Sequence, residues 1–175
     1  MDRGEVAWAE VRRQVTEAGL DQRVEWLRAL DVEGTLSWFA EWWDSVEPSD
    51  LQRRVMLLVV WGGTLNPHVH LQIDLWVERF RRVGFISDAP GQDPPTSDLA
   101  VFRGAPRGSE GGMSWTTSAR IAGLFAKKYT EYEDAPGLVW SATISPGAVL
   151  ALIDQREEEE VVVDPAGLRN LELLT

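Results

Sequence analysis

The sequence predicts an α+β protein in which a helical N-terminal half precedes a half of short strands and one helix. Up to about residue 86, apolar side chains recur at the 3.6-residue spacing of amphipathic helices. From residue 99 onward, runs rich in β-branched and aromatic residues favour strands. Between them, SDAPGQDPPTSD holds too much proline, glycine and aspartate to continue a helix. We therefore predict a Trp-rich helical domain over 1–86, a linker over 87–98 and a second domain over 99–175.

The helical half begins with two short predicted helices, at about 5–18 and 22–30. A third, in DVEGTLSWFAEWWDSVEP, has an apolar face formed by Leu36, Phe39, Trp43 and Val46. Trp38 and Trp42 share a face offset from that one. Most of these aromatic residues fit a core, but a pair left at the surface would form a binding patch.

Two further helices complete this half. PSDLQRRVMLLVVWGG predicts a helix capped near Ser49 or Asp50 and closed by two glycines. In NPHVHLQIDLWVERFRRVG, Asn66 is the candidate cap, Pro67 a first-turn residue and Gly84 the terminator. The apolar face of this last helix consists of Val69, Ile73, Trp76, Val77, Phe80 and Val83.

The second half contains three clear strand patterns, LAVFRG, GLVWSATI and EEVVVD. A helix near TTSARIAGLFAKKY separates the first two. VWSATISPGAVLALID continues the second strand through a proline-led turn into another apolar segment.

Composition excludes several kinds of function. A net charge of −11, without a basic stripe, argues against nucleic acid as a partner. The absence of cysteine excludes disulfides, thiolate zinc sites and cysteine nucleophiles. Without a secretion signal or an apolar run of spanning length, we expect a cytoplasmic protein that does not enter membranes. His68 and His70 are two positions apart and face different directions on a helix, so we expect no metal site.

The run QREEEEVVVDP places four carboxylates directly before three valines. In an extended chain, Glu158 and Glu160 project to one side while Val161 and Val163 project towards a core on the other. The alternative is solvated charge that discourages edge pairing of the strand. We interpret Glu157 and Glu159 as solvated, although a slip of one residue would exchange the two pairs of glutamates.

Two other motifs favour a functional interpretation of this acidic run. VFRGAP places Arg103 at the end of a strand, where a guanidinium can clamp an anion, and Gly104 next to it, where a ligand can approach the backbone. GMSWTTSARIAGLFA places Ser114, Trp115 and Thr116 just before a helix. In this order, the three motifs resemble the arginine–serine–glutamate signature of the ADP-ribosyltransferase family, in particular its small bacterial and phage members. The resemblance covers residues 99 to about 168.

The resemblance implies a compact domain with a split β-sheet, in which NAD lies in a cleft and loses nicotinamide. It implies that Glu160 binds the nicotinamide ribose and stabilises its oxocarbenium-like transition state, and that Glu158 orients or deprotonates an acceptor guanidinium. Arg103, Gly104 and Ser114 would hold NAD, Trp115 would stack on the nicotinamide, and Thr116 would support the strand.

Each role has a structural alternative. Arg103 could form a salt bridge with the acidic run, and Trp115 could face the core. Ser114 could cap the following helix, a position for which Thr117 and Ser118 compete.

The resemblance implies a mono-ADP-ribosyltransferase that uses NAD as its substrate, without a metal, and modifies a protein side chain, with arginine as the expected acceptor. The helical domain would recognise the target or a neutralising partner. The alternatives are a non-catalytic protein of similar fold that binds and inhibits a host protein through its Trp-rich helices, and an NAD glycohydrolase that uses water as acceptor.

Overall fold

A computed structural model describes residues 2–64, 71–132 and 135–174. These residues form six α-helices and a seven-stranded mixed sheet, with five of the helices before the main strands. The predicted α+β class and its order along the chain are therefore confirmed. Among the described residues, no helix combines the length and apolarity that a membrane span requires.

The helices are α1 Arg3–Glu17, α2 Asp21–Leu27, α3 Val32–Asp44, α4 Asp50–Gly63, α5 Ile73–Val83 and α6 Ala119–Tyr132. The strands are β1 Ile86–Ser87, β2 Leu99–Pro106, β3 Ser114–Thr116, β4 Gly137–Ile144, β5 Val149–Ile153, β6 Glu160–Val163 and β7 Leu168–Leu173. Short 3₁₀ turns at Pro146–Ala148 and Pro165–Gly167 lead into β5 and β7.

Helix α4 begins as the sequence predicts. The Ser49 hydroxyl accepts from the Gln52 N–H at 3.2 Å, and the Gln52 side chain accepts from the Ser49 N–H at 3.0 Å.

The predicted face of α3 is wrong at its end, because the helix stops at Asp44 and Val46 is 99% exposed. There the chain turns to an extended conformation at Ser45 before Pro48.

Helix α5 ends as predicted at Gly84, whose φ of 75° suits a residue without a β-carbon. The proposed cap and first turn, Asn66 and Pro67, lie outside the described residues, as do Val69, His68 and His70.

The strands follow the order β1-β5-β6-β3-β2-β4-β7. Strands β2 and β4 pair over eight positions, from Leu99↔Ile144 to Pro106↔Gly137. By contrast, β2 and β3 pair through Phe102↔Thr116 alone. The sheet is therefore nearly divided between these two strands, and the divided region is where the predicted site residues lie.

Both faces of β6 are buried, which explains its run of valines. Val162 packs with the helices in one hydrophobic cluster, and Val161 and Val163 pack in a second cluster on the opposite face. Because side chains alternate along a strand, Glu160 lies on the same side as Val162 and faces the helical half.

The helical cluster crosses the predicted domain boundary. It includes Trp61 of α4 together with Met113, Leu150 and Val162 of the second half. Ser87 pairs in β1 and Asp88 is 1% exposed, whereas most of 89–98 is exposed. The division into two domains and a linker stays a prediction, but residues of both halves pack in this cluster.

Asp88 connects the start of the predicted linker to the acidic run. Its carboxylate accepts the backbone N–H groups of Asp154, at 2.9 and 2.8 Å, and of Gln155, at 2.8 Å. Burial raises the pKa of Asp88, although these two N–H groups oppose the shift. The turn between β5 and β6 is thereby fixed at its first residues.

Candidate functional site

All seven residues that the sequence singled out meet at one small cavity of about 60 Å³. Strand β2 contributes Arg103 and Gly104, and β3 contributes all three of its residues. Glu160 opens β6, and Glu158 lies in the turn before it. The cavity is lined by Phe102, Arg103, Gly104, Ser114, Trp115, Thr116, Phe125, Tyr129, Glu158 and Glu160.

Glu160 is the most enclosed carboxylate of the site, with 4% exposure. Its Oε1 accepts from the Ser114 hydroxyl at 2.6 Å and from the Trp61 indole N–H at 3.2 Å. Its Oε2 lies 3.7 Å from Arg156 Nη2 and has no hydrogen-bond partner among the described residues. One oxygen is therefore held in place, while the other is free to accept a further hydrogen bond.

The pKa of Glu160 is raised, mainly because burial disfavours the charged form. The Ser114 hydroxyl, the Arg156 charge and the Trp61 N–H each lower that pKa and so oppose the shift. A carboxylate in this setting can stabilise a positive charge that develops beside it, since little water screens the interaction.

Ser114 is engaged with Glu160, and other side chains form the cap of α6. The Ser118 hydroxyl accepts from the Ile121 N–H at 3.4 Å, and the Thr116 hydroxyl accepts from the Ser118 N–H at 3.1 Å. Helix capping by Ser114 is therefore not observed. Thr116 also pairs with Glu160 in the β3–β6 ladder, which places the two motifs side by side.

The Arg103 guanidinium lies under the loop that joins β2 and β3. Its Nε–H donates to the Ser109 carbonyl at 3.0 Å, and Nη1 donates to the Ser114 carbonyl. Its hydrogen bonds are thus made to backbone oxygens, and the predicted alternative of a salt bridge with the acidic run is wrong. Burial lowers the pKa of Arg103. A β-carbon added at Gly112 would collide with this guanidinium, which shows how closely the loop covers it.

Gly104 is required by helix packing. A β-carbon here would lie 2.5 Å from Ala126 N and 2.8 Å from Phe125 Cβ, and closer still to the Ala122 carbonyl. The predicted reason for this glycine, close approach of a ligand, is therefore not the reason that the structure gives, although the residue does line the cavity.

Trp115 faces the core. It is 2% exposed, belongs to the second hydrophobic cluster and donates its indole N–H to the Gly112 carbonyl at 2.8 Å. The structure favours the core alternative over stacking on a ligand, since the indole is enclosed by protein.

The acidic run is a turn, not the beginning of an extended strand. Glu157 and Glu159 have φ values of 57° and 47°, in the left-handed region, and β6 begins only at Glu160. Glu157 is exposed, in agreement with its interpretation as solvated charge, whereas Glu159 keeps 30% of its side chain exposed and its carboxylate accepts from Thr117 Oγ1 at 2.8 Å and from Arg3 Nη2 at 3.2 Å. These contacts lower the pKa of Glu159.

Besides Phe102 and Phe125, which line the cavity, three residues of the site were not predicted. Trp61 comes from the helical half, and no local pattern distinguishes it from a core tryptophan. Tyr129 lines the cavity from α6. Arg156 donates to Glu158 through Nε at 3.0 Å, and its place in the same short run as the glutamates could have been noticed in the sequence.

No group of three or more histidine, aspartate and glutamate residues is placed to hold a metal ion in the parts of the chain that the structure describes. Comparison of the chain with protein-family models, with curated proteins and with solved structures finds no match.

Proposed function

We propose that this protein cleaves the nicotinamide–ribose bond of NAD and transfers ADP-ribose to a protein side chain, preferably an arginine. The observation that carries the proposal is the buried Glu160 carboxylate. Ser114 and Trp61 hold one of its oxygens, and the other, at the wall of a cavity shared with Arg103, has no hydrogen-bond partner in the part of the chain that the structure describes.

A buried carboxylate suits the cleavage of the nicotinamide–ribose bond. Loss of nicotinamide leaves positive charge on the ribose, and a fixed anion next to that ribose stabilises the transition state more than the ground state. Glu160 Oε2 would accept a hydrogen bond from the ribose 2′-hydroxyl. This bond would satisfy a buried oxygen that has no hydrogen-bond partner among the described residues. Ser114 keeps the carboxylate oriented through its 2.6 Å hydrogen bond.

Glu158 is our candidate for handling the acceptor. It lines the same cavity and already binds a guanidinium, that of Arg156. Carboxylates and guanidinium groups match in planar geometry, so an acceptor arginine could take a similar position.

NAD needs more room than this cavity provides. Sites for ligands of that size enclose roughly 300–1,000 Å³, against about 60 Å³ here. We propose that the mostly exposed loop over 107–112 moves away from Arg103 when NAD binds. The guanidinium would then exchange the carbonyls of Ser109 and Ser114 for phosphate oxygens, which are stronger acceptors.

One observation favours a protein-binding function as the second candidate. Trp26 is 48% exposed and packs edge-on against Trp38, which stacks on Trp42 at 5.6 Å. Trp42 is buried in the helical cluster and Trp38 is half-buried, so the predicted surface pair is not left at the surface, and Trp26 provides the exposed ring. This patch could recruit the target protein of an active enzyme or, without catalysis, bind and inhibit a host protein.

Incubation with NAD labelled in its ADP-ribose part and a bacterial lysate separates the candidates. A labelled lysate protein supports the transferase. Free ADP-ribose without labelled protein supports an NAD glycohydrolase, and intact NAD supports a non-catalytic binding protein.

A further inference from the structure

We propose that Arg156 is an intramolecular acceptor, so that the protein ADP-ribosylates its own side chain at this position. The inference rests on the proposed function and deepens it by naming one acceptor. Arg156 lies in the turn between β5 and β6, in the same short run as Glu158 and Glu160.

The Arg156 guanidinium spans the two carboxylates that the proposed reaction needs. Its Nε–H donates to Glu158 Oε2 at 3.0 Å, and its Nη2 lies 3.7 Å from Glu160 Oε2. Glu158 is the residue assigned to the acceptor, and Glu160 is the residue assigned to the ribose. A guanidinium is thus already present where the acceptor of the reaction would have to be.

Other arginines near the site do not combine an exposed side chain with contacts to both Glu158 and Glu160. Arg103 is 7% exposed and donates to two backbone carbonyls. Arg3 contacts the other side of the same turn, where it pairs with Glu159 at 3.2 Å and Asp154 at 3.7 Å. The Arg156 side chain keeps 29% of its surface exposed, so a ribose that enters the site from solvent can reach it.

The turn that carries Arg156 is held in place from outside. The buried Asp88 carboxylate accepts the N–H groups at its first two residues, Asp154 and Gln155. The Asp154 carboxylate in turn accepts the Glu159 N–H at 3.1 Å. An acceptor fixed in this way reacts as part of the same molecule, which removes the entropic cost of bringing two proteins together.

The reaction balances with NAD as its single co-substrate. The bond between ribose C1′ and the nicotinamide nitrogen breaks, and its electron pair leaves with nicotinamide. Arg156 gives its Nε proton to Glu158, which leaves a neutral guanidine. An Nη atom of this guanidine forms the new bond to C1′ with its electron pair, and a proton then moves from that Nη to Nε. The products are nicotinamide, a proton and an ADP-ribosylated guanidinium that keeps its positive charge.

The first test uses the wild-type chain alone with labelled NAD. We expect label on the protein, at a first-order rate that does not change when the protein is diluted. Trypsin should fail to cleave after the modified Arg156, so that the label is recovered in a peptide covering 129–169. Recovery of the label at any other residue, or nicotinamide release without label on the chain, would overturn the proposal.

The second test compares Arg156→Lys with Arg3→Lys, a matched change in an arginine that pairs with the other side of the turn. We expect Arg156→Lys to lose self-labelling and to release nicotinamide more slowly, with water as acceptor, because Arg156 also contacts Glu160, while Arg3→Lys keeps both activities. Wild-type labelling in Arg156→Lys would refute the assignment. If the wild-type chain released no nicotinamide, the proposed function itself would fail and this inference with it.

Discussion

Trp61, in the last turn of α4, donates its indole N–H to the carboxylate of Glu160, 99 positions later in the chain. Trp61 is 1% exposed and belongs to the hydrophobic cluster of the helical half. The helices therefore do more than carry a binding surface, because one of them donates a hydrogen bond to the central carboxylate. Removal of the helical half would uncover Glu160 as well as the core of the sheet.

The Trp61 hydrogen bond is tested by Trp61→Phe, which keeps the ring and removes the N–H. Hydrogen bonds to charged groups contribute about 1.5–3 kcal/mol. We expect nicotinamide release to fall by about 10-fold, which corresponds to ~1.4 kcal/mol in the barrier. Its pH profile should also move to higher pH, because the Trp61 N–H lowers the pKa of Glu160.

Trp140→Phe is the matched control for this experiment. It also loses an indole N–H, but one that donates to the Ala105 carbonyl at 3.1 Å. We expect its pH profile to coincide with that of the wild type. An equal displacement of both profiles would show that Trp61 has no specific effect on Glu160.

The packing of α6 on β2 is tested by Gly104→Ala. The added methyl group would collide with the backbone of α6, and overpacking of this kind costs roughly 1–3 kcal/mol. Gly123→Ala, on α6 itself, meets nothing within 4 Å and should gain ~1 kcal/mol from higher helix propensity. Urea denaturation of the two variants checks this, and equal stabilities would contradict the assigned role of Gly104.

The burial of Glu160 predicts a specific dependence of stability on pH. Since its pKa is raised in the folded protein, the folded state binds this proton more tightly than the unfolded state does. The free energy of unfolding should therefore decrease as pH rises from about 4.3, the ordinary value for glutamate, through the raised value. Gln cannot ionise, so Glu160→Gln should lack this contribution.

Denaturation of the wild type and of Glu160→Gln across this pH range measures how much the titration of Glu160 contributes to the free energy of unfolding. The other titrating groups are common to both proteins and cancel in the comparison. We expect the stability of Glu160→Gln relative to the wild type to increase with pH and then level off. A relative stability that decreases with pH would mean that the folded protein favours the charged carboxylate.

The two glutamates are expected to have separable roles. In Glu158→Gln, we expect loss of transfer to a protein acceptor with retention of some NAD hydrolysis, because Glu160 and its contacts with Ser114 and Trp61 are intact. The amounts of labelled protein and of free ADP-ribose, measured in the same incubation, check this. If both products declined equally, Glu158 would have no separate acceptor role.

Much of the fold could be predicted because its signals are local. Strand β4 matches GLVWSATI residue for residue, and α4 has its predicted cap at Ser49 and its two closing glycines. Burial of both faces of β6 likewise agrees with a continuous run of valines. The meeting of Arg103, Ser114 and Glu160 was expected because their three motifs, in this order, resemble a family signature, and not because of any local pattern.

The remaining features depend on contacts between distant parts of the chain. The left-handed conformations of Glu157 and Glu159 are unusual for residues with a β-carbon, and no local pattern signals them. They accompany the contacts of this turn with Asp88 and Arg3. The role of Trp61 depends on where α4 ends relative to β6, which helix periodicity alone does not specify.

The most direct measurement is the release of nicotinamide from NAD by the wild-type protein and by Glu160→Gln, each first shown to be folded. The substitution removes a charge and keeps the size of the side chain. We expect release by the wild type and a loss of at least about 100-fold in the variant, the scale expected when electrostatic stabilisation of a transition state is removed. Equal rates in the two proteins, or no release by the wild type, would contradict the account.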